Sequence, residues 1–432
     1  MTAQQLHFNA FIWPNGYHES AWRAVPDDVR GVLGLPYYAG IARTAERGLM
    51  DSVFLADNLA IADYRATYLP QTQFDPISVL SALAAVTEHI GLIGTGSTTY
   101  SQPWDLARRF ATLDHLSGGR AGWNIVTTIV SLAGANFGRS HPDHAQRYAR
   151  AEEFVEVALR LWDSWDGDAV VGNRKAGVWA DRSKLHAPQF HGEFYDVAGV
   201  LPFPRSPQGR PVLVQAGQSG AGIALAARYA DMVFSGPPTL AAAVDFRAQL
   251  DNAVTAAGRD PRRVLVTPAL MVTLGSTQSE ARRRAQELED LASPEFRWQN
   301  ALYTAGLDPD AFDPDQPLAP QLPVEQIADQ RAEQLLAAAR ARPGASLREL
   351  GQLVSGGAGQ MHFTGTPEEL AAHLIAWQDA GAVDGFTLMG STLPYELDTF
   401  VDHVVPILQR RGRYRTEYTG ATLREHLLPT HP

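Results

Sequence analysis

Apolar residues recur along this chain in short unbroken runs, separated by longer segments with a helical period. Leu6–Phe11, Ser52–Ala56, Ile90–Thr95, Gly122–Thr127, Pro211–Ala216, Met232–Ser235, Val264–Leu274 and Gly385–Met389 are runs of this kind. As a set they lack the regular polar–apolar alternation of strands with one wet face. Strands buried on both faces read this way. Between them Pro36–Arg47, Asp75–Thr87, Trp104–Leu116, His144–Trp162, Gly220–Tyr229, Ala241–Ala257, Glu368–Ala380 and Pro394–Arg411 read as helices. In His144–Trp162 the apolar residues Phe154, Val155, Ala158, Leu159 and Trp162 fall at helical spacing. Eight strands in alternation with helices predict an α/β fold, a (β/α)8 TIM barrel, with an open doubly wound sheet as the alternative.

Two stretches break the alternation. Residues 163–210 are rich in turn formers, among them Gly167, Gly172, Gly177, Pro188, Pro202 and Pro204. Residues 276–366 are longer than one helix requires and include the Asp/Pro-rich run Gly306–Pro323. Both are expected to be insertions at the C-terminal face of a single domain spanning 1–432. There they would cover the mouth or make subunit contacts.

Composition narrows the function classes. Of 432 residues, 45% are hydrophobic, enough for a large core, and 19% are charged, too few for a disordered chain. Net charge is −11, and the Arg282-Arg283-Arg284 run lies beside Glu280, Glu287 and Glu289. That reads as a solvated helix face and argues against nucleic acid. The same acidity argues against an anionic membrane surface. No window approaches the roughly 18 apolar residues of a membrane span, and Met1–Gln5 lacks the basic start of a secretion signal. There are no cysteines, which removes disulfides, thiolate metal sites and cysteine nucleophiles. These features fit a cytoplasmic protein.

Polar residues at strand ends are the candidates for chemistry, because a barrel presents its site at the carboxyl ends of its strands. Thr95-Gly96-Ser97-Thr98-Thr99-Tyr100 closes the third run with hydroxyls and a glycine. Taken alone it reads better as a polar turn before Pro103, and it lacks the glycine spacing and lysine of a P-loop. Asn124 sits inside the apolar fourth run, where an amide is costly unless satisfied. It could bond neighbouring backbone or face a polar heterocycle. Gln215-Ala216-Gly217-Gln218-Ser219-Gly220 leads into a helix, whose N-terminus favours a phosphate; a plain Ser cap fits the same residues. His144 and Tyr148 lie one turn apart on a helix face, suited to a phosphate or a flavin. His141 and His144 have no ligand spacing that supports a metal site. Asp57 follows the second run at a mouth position. His18 follows the first, where it could donate a proton, touch substrate, or be an ordinary loop histidine.

Together these segments are more specific than any one of them. Val53–Asp57 (VFLAD), Ser97–Tyr100 (STTY), Ala111–Thr128 (ATLDHLSGGRAGWNIVTT), Asn136–Gly138 (NFG), Arg147–Phe154 (RYARAEEF), Pro211–Ser219 (PVLVQAGQS) and Val405–Tyr414 (VVPILQRRGRY) run in order along nearly the whole chain. They resemble the bacterial-luciferase-like flavin-dependent monooxygenases, in the branch of nitrilotriacetate, long-chain alkane and dibenzothiophene sulfone monooxygenases. Ile41–Gly48, Pro204–Gly209 and Tyr414–Tyr418 look most like the sulfone subgroup.

The resemblance implies a (β/α)8 barrel that binds FMN as FMNH2. A separate NAD(P)H-dependent flavin reductase would supply it, with O2 as co-substrate. One oxygen atom would enter a small organic molecule (an organosulfur compound or sulfone, an amine or a related xenobiotic), and the other would leave as water. No G-x-G-x-x-G follows a strand, in keeping with a separate reductase. By the match, Asp57, Thr95, Asn124, His144, Tyr148 and Ser219 contact the flavin, and Ser219, Tyr148 and Gly220 hold its phosphate. His18 matches a mouth histidine that is catalytic or touches substrate. Phe11, Phe54 and Tyr64 would form the pocket wall, Tyr64 with a hydroxyl in catalytic reach. Relatives are commonly dimers or tetramers. Two departures stand out. Phe296–Asn300 lacks the mouth histidine of alkane-oxidising relatives, and Asp143-His144-Ala145 replaces their Glu-His-Asp. The competing readings are an F420-dependent oxidoreductase, a flavin-binding protein without turnover, and a barrel hydrolase. The last needs two carboxylates, and only Asp57 is a clear mouth carboxylate.

Overall fold

The computed structural model describes residues 5–25, 28–71, 73–235, 237–305, 307–321, 330–354 and 361–428. Among them the apolar runs form one ten-stranded parallel sheet. In chain order the strands are β1 His7–Phe11, β2 Ser52–Leu55, β3 Gly91–Ser97, β4 Ala121–Val126, β5 Val212–Gln215, β6 Met232–Val233, β7 Leu265–Val266, β8 Ala269–Leu274, β9 Met361–Gly365 and β10 Gly385–Gly390. Their spatial order is β7-β6-β5-β4-β3-β2-β1-β10-β8-β9. Nearly every residue of the central strands is buried, because helices cover the outer face and the sheet curls over its own inner face.

The curl has a direct cause. β7 pairs with β6, and β8 pairs with β10, yet only Thr267 and Pro268 separate β7 from β8. Asp384 N–H donates to Val266 O at 2.9 Å, and Thr387 N–H to Pro268 O at 2.8 Å. One stretch of chain thus belongs to both ends of the sheet. The sequence predicts a single strand over 264–274. Pro268 has no N–H to give to a ladder, and the strand breaks there.

Ten strands replace the expected eight for two reasons: this break, and β9. Met361–Gly365 runs along the outer edge of β8, with His362 exposed, and its polar residues hide it from an apolar-run reading. The expected helix 394–411 is three pieces: α-helix Tyr395–Thr399, a π-turn Phe400–Val404, and α-helix Val405–Arg410. Pro406 removes an N–H there, and the ladder widens around it.

The amino ends of the strands are closed by the end of the described chain. Leu423, in the capped helix Leu423–Leu427, packs against Gly91, where any side chain would collide with it, and touches Gly122, where a side chain would collide with Ile93 instead. Arg415 pairs with Asp51, which precedes β2 and is fully buried. Asp51 also takes a bond from His7 Nδ1 at 3.1 Å and from Phe8 N–H at 2.7 Å.

Residues 163–210 fold as two short antiparallel hairpins, Val170–Asn173 with Val178–Ala180 and Phe190–His191 with Asp196–Val197. They wrap the outside of helices Pro103–Leu116 and His144–Trp162, and the Tyr195 hydroxyl reaches Thr98 O at 3.5 Å. The stretch after β8 holds helices Gln278–Asp290, Pro294–Thr304, Gln330–Ala341 and Leu347–Val354. Three of them share a small core of Trp298, Leu302, Leu335, Leu347 and Leu350. Helix Pro294–Thr304 meets the loop after β1 and the short helix Asp63–Tyr68 after β2: Arg65 donates to Asn300 at 2.8 Å, and Arg297 to Glu19 at 2.5 Å. No described helix is long and apolar enough to cross a membrane.

Candidate functional site

The carboxyl ends of β3, β4 and β5 lie side by side and carry most of the predicted residues. Register sets Thr95 of β3 beside Asn124 of β4. The Asn124 amide donates to Thr95 Oγ1 at 2.8 Å, and Thr95 Oγ1 donates onward to Leu55 O at 2.9 Å. Asn124 Oδ1 is buried and has no partner. One half of the amide is therefore fixed by its neighbours and the other is left over. A buried acceptor without a donor costs about 1–3 kcal/mol, so something that donates a hydrogen bond would be welcome there.

One strand over, Gln215 ends β5 and shows the same pattern, buried with Oε1 unpartnered. Gln215 was not among the predicted site residues. Its signal was visible in the sequence, since it is an amide closing an apolar run, as Asn124 is. Two further hydroxyls, Ser235 Oγ after β6 and Thr267 Oγ1 after β7, are also buried and unpartnered.

Beyond Gln215 the chain turns at Gly217 and enters helix Gly220–Tyr229. Ser219 caps that helix, accepting from Gly222 N–H at 3.2 Å. A side chain at Gly217 would meet Gly222 Cα at 2.9 Å and the Tyr148 hydroxyl at 2.9 Å. The glycine thus lets Tyr148 approach the turn. His144 stands 4.8 Å from Tyr148, ring to ring, at the start of helix His144–Trp162, which Asp143 caps. His144, Ser219 and Gly220 are exposed, and Tyr148 is half-buried. The Tyr148 phenol and the capping hydroxyl of Ser219 thus lie about the turn that opens the helix, with the exposed His144 imidazole against the phenol. That set suits a phosphate.

Thr128, just past β4, has a φ of 45°, rare for a β-branched residue. Its hydroxyl lies 2.6 Å from Ser97 Oγ, and its carbonyl accepts from Arg147 at 3.0 Å. Those bonds hold it in the strained conformation at the rim.

Asp57 lies two residues past β2 and is half-buried. Burial pushes its carboxyl up to about 6, with Asp75 adding to the rise and the Asn58 backbone and Arg109 opposing it. Phe11, Phe54 and Phe234 form an aromatic wall, with ring centroids 5.4–6.3 Å apart. Tyr64 is on helix Asp63–Tyr68, and its side chain lies outside the described residues.

His18 is buried on the loop after β1. Its Nδ1 accepts from Ser20 N–H at 3.1 Å, and its Nε2 lies 3.2 Å from Glu289 Oε1. Helix Gln278–Asp290 was expected to be a solvated face, and only part of it is. Arg283 and Glu287 pair in solvent, whereas Arg284 reaches the buried Glu396 and Glu289 turns toward His18. A periodic charge pattern does not say which charges find a partner across the fold.

The structure thus gathers Thr95 with Asn124, and His144 and Tyr148 with the turn at Gly217–Gly220. His18 sits apart, at the seam with the second insertion.

The sequence profile described as luciferase-like monooxygenase matches residues 20–384. The N-acetyl-S-(2-succino)cysteine monooxygenase of Bacillus subtilis (strain 168) is 42% identical over 98% of this chain and 96% of its own length. Nitrilotriacetate monooxygenase component A of Aminobacter aminovorans is 39% identical over 98% of this chain and 96% of its own. Among solved structures, a riboflavin lyase with modified FMN and its substrate riboflavin superposes with a TM-score of 0.87 at 31% identity, covering 99% of this chain and 96% of that one.

Proposed function

The chain belongs to the luciferase-like monooxygenase family and is a flavin-dependent monooxygenase, and we propose that it inserts one atom of O2 into a small organic substrate with FMNH2 from a separate NAD(P)H-dependent flavin reductase. One observation carries the cofactor: an unpartnered buried amide oxygen at Asn124 lies one strand from a phosphate-type turn at Gly217–Gly220. The residues fit FMN. Thr95, Asn124 and Asp57 would hold the ring system. His144, Tyr148, Ser219 and the N–H groups at Gly220 would hold the phosphate. FMN, when bound, supplies the oxygen chemistry. The protein's part is to bind, orient and keep water out, the last through Phe11, Phe54 and Phe234.

We read the curled sheet as a closed (β/α)8 barrel in a single domain over 1–432. Its insertions are about 163–210, on the outside of two helices, and 276–366, which we place beside the mouth. His18 and Tyr64 are the proposed catalytic or substrate-contacting groups. The name of one relative includes a sulfur-bearing substrate, and the name of the other an amine. An organosulfur or amine substrate for this chain follows from that. The label component A on the second fits a two-component system. A cytoplasmic homodimer or homotetramer completes the reading.

The test is a substrate screen. The purified chain, a generic flavin reductase, NADH, FMN and air are offered sulfones, thioethers and tertiary amines, and products are read by mass. The expected result is a product one oxygen heavier than its parent, or the fragment left by oxidative cleavage. Absence of any oxygenated product, together with no binding of FMNH2, contradicts the proposal.

A further inference from the structure

Four charged or titratable side chains meet where the second insertion touches the mouth: His18 and Glu19 after β1, Glu289 at the end of helix Gln278–Asp290, and Arg297 in helix Pro294–Thr304. Arg297 bonds Glu19 Oε1 and Glu289 Oε2, each at 2.5 Å. Glu289 Oε1 faces His18 Nε2 at 3.2 Å. His18, Arg297 and Glu19 are nearly inaccessible, while the Glu289 side chain is 42% exposed. The hydrogen bond from His18, opposed by partial burial and helped by Arg297, draws the Glu289 carboxyl down to about 2.

The pattern fixes the imidazole. Ser20 N–H can only donate, so His18 Nδ1 must accept and, in the neutral ring, the proton sits on Nε2. A carboxylate is the group that favours a proton there. We infer that Glu289, held by Arg297, is a positioning residue for His18: with Ser20 N–H on Nδ1 it is the ring's second anchor, which keeps the imidazole in one orientation with its proton on Nε2 and ties the insertion to the mouth. The inference rests on the proposed role of His18 in turnover. It also gives the departure at Phe296–Asn300 a use: Arg297 stands there and holds the carboxylate that orients the histidine already present.

The experiment is nitrogen-15 NMR of full-length protein labelled at histidine, with the His18 signals assigned by their loss in His18→Gln. The wild type should show a protonated Nε2 and a bare Nδ1 in its neutral ring. Glu289→Gln, which still accepts a hydrogen bond, should keep that tautomer. Glu289→Ala, a change at a partly exposed site, leaves Ser20 N–H as the single anchor, so the ring should turn more freely and a share of the other tautomer should appear beside the first. On whatever substrate the screen returns, Glu289→Ala and His18→Ala should each lower kcat by roughly tenfold or more, and the double variant should lose little beyond either. FMN affinity should change less than twofold throughout. A His18 tautomer that is unchanged in Glu289→Ala overturns the inference. A normal rate in His18→Ala overturns the reading beneath it.

Discussion

Asp51 and Asp57 stand at opposite ends of the same strand, β2, and burial pushes both carboxyls upward. Their surroundings send them in opposite directions. At the amino end Asp51 meets Arg415 and His7, whose attraction overcomes full burial and draws its carboxyl down to about 2. At the carboxyl end Asp57 has no strong cation of its own, and burial prevails at about 6. At the amino end the buried carboxylate is answered by cations of the chain, although Arg415 Nη1 and His426 Nδ1 there keep no partner. The carboxyl end carries unanswered acceptors, Asn124 Oδ1 and Gln215 Oε1, beside a raised carboxyl. The difference lies in the charge: at one end a cation meets the buried carboxylate, and at the other the carboxylate and the unpartnered acceptors face none as strong. Perturbed groups in a recess are where function is to be sought, and the contrast shows that burial alone does not identify them.

The largest effect breaks the amino end. Asp51→Ala strands Arg415 in the core and should cost about 3–5 kcal/mol of stability, read by denaturant unfolding. Ser219→Ala costs only a helix cap, about 1 kcal/mol. Equal losses would erase the contrast. The sign of the pH effect follows. The folded value of Asp51 lies below its ordinary one, so its contribution is complete above about pH 4 and is lost as pH falls toward 2.

A middle-sized effect belongs to the open end. Ser219→Ala and Tyr148→Phe should each weaken FMN binding by about 1–3 kcal/mol, the worth of a hydrogen bond to a charged phosphate. Calorimetric titration checks it, and unchanged affinity in both variants removes the phosphate from the Gly217–Gly220 turn.

The smallest effect is the pH dependence of binding. If Asp57 accepts a hydrogen bond from the flavin ring, affinity should fall as pH drops through about 6, where its carboxyl takes up a proton. Asp57→Asn should flatten that dependence. A wild-type affinity that is level between pH 5 and pH 8 takes Asp57 out of the contact.

Much of this was legible in the sequence, and the exceptions have physical reasons. Strands buried on both faces are plain apolar runs, so β1 to β5 were found nearly in place. Asn124 was legible because an amide in such a run needs an explanation. Pro268 was in view, but only the structure shows that its missing N–H splits the strand where the sheet curls. β9 was missed because an edge strand keeps polar residues such as His362. Glu289 was illegible: its neighbours Arg282–Glu287 have the period of a solvated helix, and nothing local tells that His18 and Arg297, 271 residues upstream and 8 downstream, converge on it. Asp51 and Asp57 look alike in sequence, since Arg415, the cation that most separates their chemistry, lies 364 positions from Asp51.

The central claim is that the open carboxyl end is a flavin site, and anaerobic titration with reduced FMN tests it most directly. Saturable binding at micromolar concentration is expected, weakened by Tyr148→Phe and Ser219→Ala and left intact by Trp179→Ser, a change on the exposed outer hairpin. No saturable binding of reduced FMN, or loss of binding only in the hairpin variant, would contradict the account.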